Sequence, residues 1–104
     1  MTDNKSFNTI KSVSWQIFPN CKIILFGSRA RQSNRPDSDY DILLIIDSTL
    51  KPEEKIPFCT KIRKTLLDYG IFSDILIQSN EEIEVKKRLT GHIIKTIIRE
   101  GKTI

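Results

Sequence analysis

The chain has 104 residues, 38% of them hydrophobic and 29% charged, which suits one compact domain with its own core and leaves no room for two. Its longest unbroken apolar stretch, residues 42–46, is far short of the roughly 20 residues a membrane helix needs. No apolar run of signal-peptide length follows the N-terminus, so the reading is a single cytoplasmic domain over residues 1–104. The net charge of +4 favours an anionic partner such as a nucleotide, RNA or an acidic protein.

Phe7, Ile10, Val13 and Ile17 recur at helical spacing and predict an amphipathic helix over residues 5–18, ended by Pro19-Asn20. Trp15 is expected to pack at the edge of that helix. The Ile-rich run 21–26 reads as a buried strand stopped by Gly27. Residues 28–32 can form a short helix with Ser28 as N-cap, and the Asn, Pro, Asp and Ser of 33–38 mark a loop. The second strand is expected over 39–47. Its centre is apolar at successive positions, so helices should cover both faces of the sheet.

A further helix begins at Pro52 or Ile56 and ends at Tyr69, with Ile56, Cys59, Ile62, Leu66 and Tyr69 as its apolar stripe. Pro57 can stand only near its start, and Gly70 is a good C-terminal stop. Residues 71–78 give a third strand. Ser79-Asn80-Glu81-Glu82 has the capping-box pattern that opens another helix. Gly91 splits that helix, and Ile93, Ile94, Ile97 and Ile98 pack its last turns before Gly101. Three strands alternating with helices imply an α/β or α+β sandwich, a small sheet packed against helices, with strand order and direction left open. Cys21 and Cys59 fall in apolar-periodic segments and read as free thiols. With a single histidine they make no zinc site of ordinary spacing.

The chemistry-bearing residues are carboxylates beside a glycine turn. Asp39 and Asp41 are two apart on the expected second strand, so both point to one face. Two adjacent like charges repel, and a divalent cation between them relieves the cost. Magnesium, or manganese in its place, is suited to such oxygen ligands and to substrate phosphates. Asp74 opens the third strand and would join the pair if that strand lies beside the second. Three carboxylates can hold two metals. Asp37 precedes Asp39 by two, so residue chemistry alone permits Asp37/Asp39 or Asp39/Asp41 as the pair. Gly27-Ser28 follows a strand and opens a helix, where free N–H groups suit phosphate. Ser28 adds a hydroxyl, and Arg29 and Arg31 add positive charge.

The stretch Gly27-Ser28-Arg29-Ala30-Arg31 followed by Ser38-Asp39-Tyr40-Asp41-Ile42 resembles the signature of the polymerase β nucleotidyltransferase superfamily. It is closest to the minimal nucleotidyltransferase branch, whose pattern is Gly-Ser-x-Ala-Arg-Gly, a spacer, then Ser-Asp-x-Asp-Leu. Length, element order and the ending Ile98-Arg99-Glu100-Gly101 are also similar to that branch. The resemblance implies the nucleotidyltransferase fold, with Asp39, Asp41 and Asp74 as catalytic and metal-binding acids. It also implies that Gly27 and Ser28, with Arg29 and Arg31 beside them, bind the triphosphate of ATP or another nucleoside triphosphate, and that Asp37 belongs to the loop. Gln32 departs from the pattern, standing where the family has glycine. Many minimal members are encoded with a helical HEPN-class partner, often a toxin acting on RNA. There the nucleotidyltransferase is the antitoxin and can transfer AMP to a partner tyrosine. The resemblance therefore implies a protein adenylyltransferase acting on a helical partner.

Three readings compete at this level: an active transferase, an antitoxin that works by contact alone, and an RNA-binding domain. The last accounts for the basic charge but not for acids beside a phosphate-binding turn, so nucleic acid is not expected as the main partner. His92 is expected to be structural, Lys86-Lys87-Arg88 a solvated helix face, and Tyr40 core or interface on the face opposite the acids. Base preference and acceptor are not legible, and a homo-oligomer is left open.

Overall fold

In the computed structural model, which describes residues 3–27 and 39–104, the elements follow in the order α1 (Asp3–Ile17), β1 (Lys22–Phe26), β2 (Tyr40–Ile46), α2 (Pro52–Asp68), β3 (Ser73–Ser79), α3 (Asn80–Lys86), α4 (Ile93–Glu100) and β4 (Lys102–Thr103). The expected short helix and loop between β1 and β2 lie outside the described residues. The strands form one mixed sheet in the order β3-β2-β1-β4. β1 runs antiparallel to β2 and β4, whereas β2 and β3 are parallel.

β2 sets this layering. Every residue from Ile42 to Ile46 is buried, and successive side chains of a strand face opposite sides. Tyr40, Ile42, Leu44 and Ile46 pack on one face with Ile10 and Val13 of α1 and Ile62 and Leu66 of α2. Leu43 and Ile45 pack on the other with Ile24, Ile83 of α3, and Ile94 and Ile97 of α4. Both faces are covered, as the doubly apolar pattern predicts.

Several boundaries differ from the sequence reading or settle it: α2 takes the earlier of its two expected starts, and β3 begins at Ser73, two residues later than expected. β4 was not expected, since two residues are too short to carry a period. It forms because Ile24 pairs with Thr103 and Leu25 with Lys102, and because Gly101 lets the chain come in close. A Cβ at Gly101 would overlap Ile24 Cγ2 and the Ile97 carbonyl oxygen. α2 starts at Pro52 and continues through Pro57. Pro57 removes one intrahelical bond, and the Glu53 carbonyl it would have reached belongs to an exposed residue. β2 begins at Tyr40, so Asp39 stands just ahead of the strand.

Other expectations hold. Gly91 separates α3 from α4. Trp15 is 41% exposed at the edge of α1, and its indole N–H donates to the Cys21 carbonyl at 2.9 Å, tying the helix to the start of β1. Both cysteines are free thiols. Burial pushes Cys21 up to about 11 and also raises Cys59, so both stay protonated at neutral pH.

A polar clamp closes the sheet where β2 and β3 end. The Thr49 and Ser79 hydroxyls are 2.7 Å apart, and Asn80 Nδ2 donates to Asp47 Oδ1 at 3.1 Å. The capping box is present: the Glu82 N–H donates to Ser79 Oγ at 3.0 Å and the Ser79 N–H to Glu82 Oε1 at 2.8 Å. Lys55 of α2 donates to both Glu82 carboxylate oxygens, at 3.1 and 2.9 Å, joining two helices on opposite faces of the sheet. Burial alone would raise the Glu82 carboxyl. The bonds from Lys55 and Ser79 and the charges of Lys55 and Lys86 outweigh it and hold the group below its ordinary 4.5.

A carboxyl whose value is lowered on folding stabilises the fold fully above its unfolded value. That stabilisation is lost as pH falls through the folded value. Stability should therefore decline on the acid side of about pH 4.5. Glu82→Gln keeps an acceptor for Ser79 but loses the charge, so it should be less stable at neutral pH and show a flatter acid limb. Urea denaturation at pH 7 and at a series of lower pH values measures both. An acid limb identical to wild type would mean that the ion pair contributes nothing.

Candidate active site

The sheet end opposite the clamp carries the candidate residues. Parallel pairing sets Asp41 directly opposite Asp74, on strands about 4.8 Å apart. Register partners in a sheet share a face. By alternation from Leu43 and Leu76, the two aspartates lie on the face that α3 and α4 cover further along. On the other side of Asp41, its partner in β1 is Phe26, the residue before Gly27. The condition set for Asp74 in the sequence is met: β3 lies beside β2 and brings Asp74 opposite Asp41.

Gly27 has φ +73°, a conformation that costs a side-chain-bearing residue energy. A Cβ built there would collide with Asp41 Oδ2 and come within 3.2 Å of Asp41 Cγ. The turn and the acid therefore constrain each other: the Asp41 carboxylate occupies the space that a side chain at position 27 would take. The glycine also leaves the backbone exposed to close approach.

Asp41 is half-buried, whereas Asp39 and Asp74 are exposed. Because β2 begins at Tyr40, strand alternation fixes the direction of Asp41 but not of Asp39. Among the described residues, no group of three or more His, Cys, Asp or Glu side chains is gathered as a ready metal cage. The donor chemistry nevertheless suits a hard divalent ion. The set is all oxygen, two of the acids are held side by side, and magnesium characteristically takes one or two carboxylates and completes its shell with water and phosphate. Ser28, Arg29, Arg31, Gln32 and Asp37 lie outside the described residues.

The remaining candidates are structural. His92 caps α4, its Nδ1 accepting the Ile94 N–H at 3.1 Å. The basic run is largely paired: Lys86 donates to Gln78 at 2.7 Å, Lys87 to Glu84 at 3.0 Å, and Arg88 lies 3.8 Å from Glu84. Tyr40 is buried on the opposite face from Asp41 and packs edge-on to Phe7, with centroids 6.5 Å apart. Sequence reasoning did not find a groove of about 300 Å³ beside Asp74, between α2 and β3. Nor did it find a cleft of about 470 Å³ at the clamped end, lined by Phe18, Leu50, Phe58 and Asp47 among others. Both arise from packing between distant segments, and no local pattern announces them.

Comparison with known proteins agrees with this geometry. The family model described as "Polymerase beta, Nucleotidyltransferase" matches residues 16–104. A protein of Methanocaldococcus jannaschii named "Putative protein adenylyltransferase MJ0604" is 35% identical over 83 residues, which are 80% of this chain and 76% of that protein. A crystal structure of a toxin-antitoxin with AMP-PNP superposes with a TM-score of 0.58 at 21% identity, covering 92% of this chain and 69% of that one. A mutant of the toxin-antitoxin MntA-HpeT superposes with a TM-score of 0.52 at 18% identity, covering 99% and 72%. At those identities the two structures are alike in fold. The match of the family model over most of the chain, on a sheet that sets Asp41 beside Asp74 and Gly27, makes the chain a member of the polymerase beta nucleotidyltransferase family.

Proposed function

We propose that the chain is a magnesium-dependent protein adenylyltransferase and the antitoxin of a helical, HEPN-type toxin partner. It moves AMP from ATP to a partner hydroxyl in the cytoplasm. The observation that carries this reading is the parallel register of Asp41 with Asp74 beside the Gly27 turn. Support comes from the relative named an adenylyltransferase and from fold neighbours that are toxin-antitoxin structures, one with AMP-PNP. No helix among the described residues is long and apolar enough to cross a membrane.

In this reading Gly27 and Ser28 cradle the triphosphate through backbone N–H groups, and Arg29 and Arg31 add positive charge around it. Asp39 and Asp41 would hold magnesium, with Asp74 as a third ligand. When bound, the metal neutralises charge between carboxylates and phosphates. The acceptor oxygen attacks the α-phosphorus, a new P–O bond forms, and pyrophosphate leaves with the electrons of the broken P–O bond. Asp74, exposed on the neighbouring strand, takes the acceptor proton. Positioning and charge stabilisation supply most of the acceleration, as in phosphoryl transfer generally.

Three outcomes test this. Asp74→Asn preserves shape and should reduce ATP affinity only modestly while lowering transfer by about 10²-fold or more, the scale of a lost general base. Labelled ATP, magnesium and the adjacent helical protein provide the assay, and transfer at the wild-type rate would remove Asp74 from the chemistry. A tight complex that is never labelled would instead mean neutralisation by contact.

The Asp39→Asn/Asp41→Asn pair should lose most magnesium-dependent ATP affinity. Calorimetry with and without magnesium reads this directly, and equal affinity in both proteins would refute the metal assignment.

Gly27→Val must displace the Asp41 carboxylate. It should impair nucleotide binding more than Ser28→Ala, for which roughly 1 kcal/mol is expected from one hydrogen bond. Unchanged ATP binding by a folded Gly27→Val protein would make the turn an ordinary one.

A further inference from the structure

β3 is an outer strand of the sheet, and among the described residues no strand pairs with its far edge. The Tyr40 N–H donates to the Phe72 carbonyl at 2.8 Å, which fixes which backbone groups address β2. The N–H and C=O of one strand residue point to the same side, and successive residues alternate. Asp74, Leu76 and Gln78 therefore bond toward β2, while Ser73, Ile75 and Ile77 point outward. The Ser79 N–H obeys the same parity, turning away from β2 to Glu82. Among the described residues nothing bonds to the outward N–H or C=O of Ser73 or Ile75. Ser73 and Ile77 are only 6% and 2% exposed, so the opening is confined to Ile75, next to Asp74.

The groove beside this edge is lined by Lys55, Ile56, Cys59, Arg63, Asp74 and Ile75. Lys55 is committed to Glu82. Arg63 is exposed and has no ion-pair partner among the described residues, and Lys61 and Lys64 are exposed on the same helix. Ile56 and Phe72 are 65% and 57% exposed at its flanks. The surface thus combines unpaired main-chain groups, apolar footholds and a free guanidinium, and it ends at a candidate catalytic acid.

We propose that this groove docks the acceptor, an extended acidic segment of the modified protein that adds to the β3 edge as a short strand. Its main chain bonds to the outward N–H and C=O of Ile75, an acidic side chain meets Arg63, and its hydroxyl residue comes to Asp74. The proposal rests on the transfer reading above. Edge addition draws affinity from the main chain and specificity from alternate side chains. An RNA backbone would meet one free guanidinium next to a carboxylate and no partner for the strand edge. A second copy would bring α2 cations against α2 cations, on chains each carrying +4.

The test uses the full chain and two fluorescein-labelled random copolymers, glutamate–tyrosine and lysine–tyrosine. Anisotropy should show binding of the acidic copolymer and about ten-fold weaker binding of the basic one. Ile75→Pro removes the outward N–H and spares the ladder to β2, as proline can on an edge strand. Arg63→Glu reverses an exposed charge. Each should weaken the acidic copolymer about ten-fold while leaving ATP affinity at the wild-type value. Hydrogen exchange at Ile75 in wild type should slow when that copolymer is added, a reading independent of whether Ile75→Pro folds. No binding, equal binding of both copolymers, or an unprotected amide at Ile75 would overturn the proposal. So would a concentration-dependent dimer that Ile75→Pro abolishes, since the edge would then serve a second copy. Edge-dependent binding without transfer of AMP to the copolymer or to any partner protein would sustain the docking and sink the transfer reading.

Discussion

Burial of β2 on both faces is the constraint from which the rest of the molecule follows. With Ile42 through Ile46 inaccessible, charge can be carried only where the strand begins or ends, because an unpaired ion among those isoleucines and leucines would lose its hydration without recompense. The polar residues obey this. Asp47, Thr49, Ser79 and Asn80 gather past one end and bond to one another. Asp41 and Asp74 stand in register at the other, with Asp39 just ahead of β2. The same burial requires helices on both sides, and β2 is an inner strand flanked by β3 and β1.

The two ends are built for different purposes. At the clamped end the charges are matched: Glu82 is met by Lys55, by the Ser79 N–H and by Lys86, and its carboxyl is held low in consequence. At the acid end two carboxylates are set side by side, and Asp39 and Asp74 are left exposed. Like charges in register are costly unless a cation joins them.

Much of this was legible in the sequence, for physical reasons. Helical stripes such as Ile62 and Leu66, the Ser79–Glu82 capping box and the apolar centre of β2 are local signals, and each appears as an element or a cap. Parallel pairing of β2 with β3 is not local; only the expectation that Asp74 would meet Asp41 if those strands were neighbours pointed to it. β4 was illegible because its two residues become a strand only by pairing with β1. The start of α2 was ambiguous because Pro57 normally argues against a helix interior, and an exposed first turn tolerates it. The choice between Asp37/Asp39 and Asp39/Asp41 could not be made from residue chemistry alone. It needed a family pattern, to which the structure adds a register for Asp41 but a place outside the strand for Asp39.

The order of strands also gives the candidate site a direction. Asp41 stands in the middle strand, with Gly27 at the end of β1 on one side and Asp74 in β3 on the other. Gly27 can carry no side chain without displacing the Asp41 carboxylate, so the β1 side presents bare backbone, the surface that phosphate oxygens accept from. β1 is closed off on its far side by β4, which Gly101 draws in against Ile24. β3 has no such neighbour. A nucleotide held on the β1 side would therefore leave the β3 side open to a second substrate, with Asp74 between the two. An in-line displacement needs the acceptor oxygen opposite the leaving pyrophosphate, and in the proposed reaction donor and acceptor approach from opposite flanks of one strand. The sheet edge left bare by the strand order is the flank from which the acceptor comes.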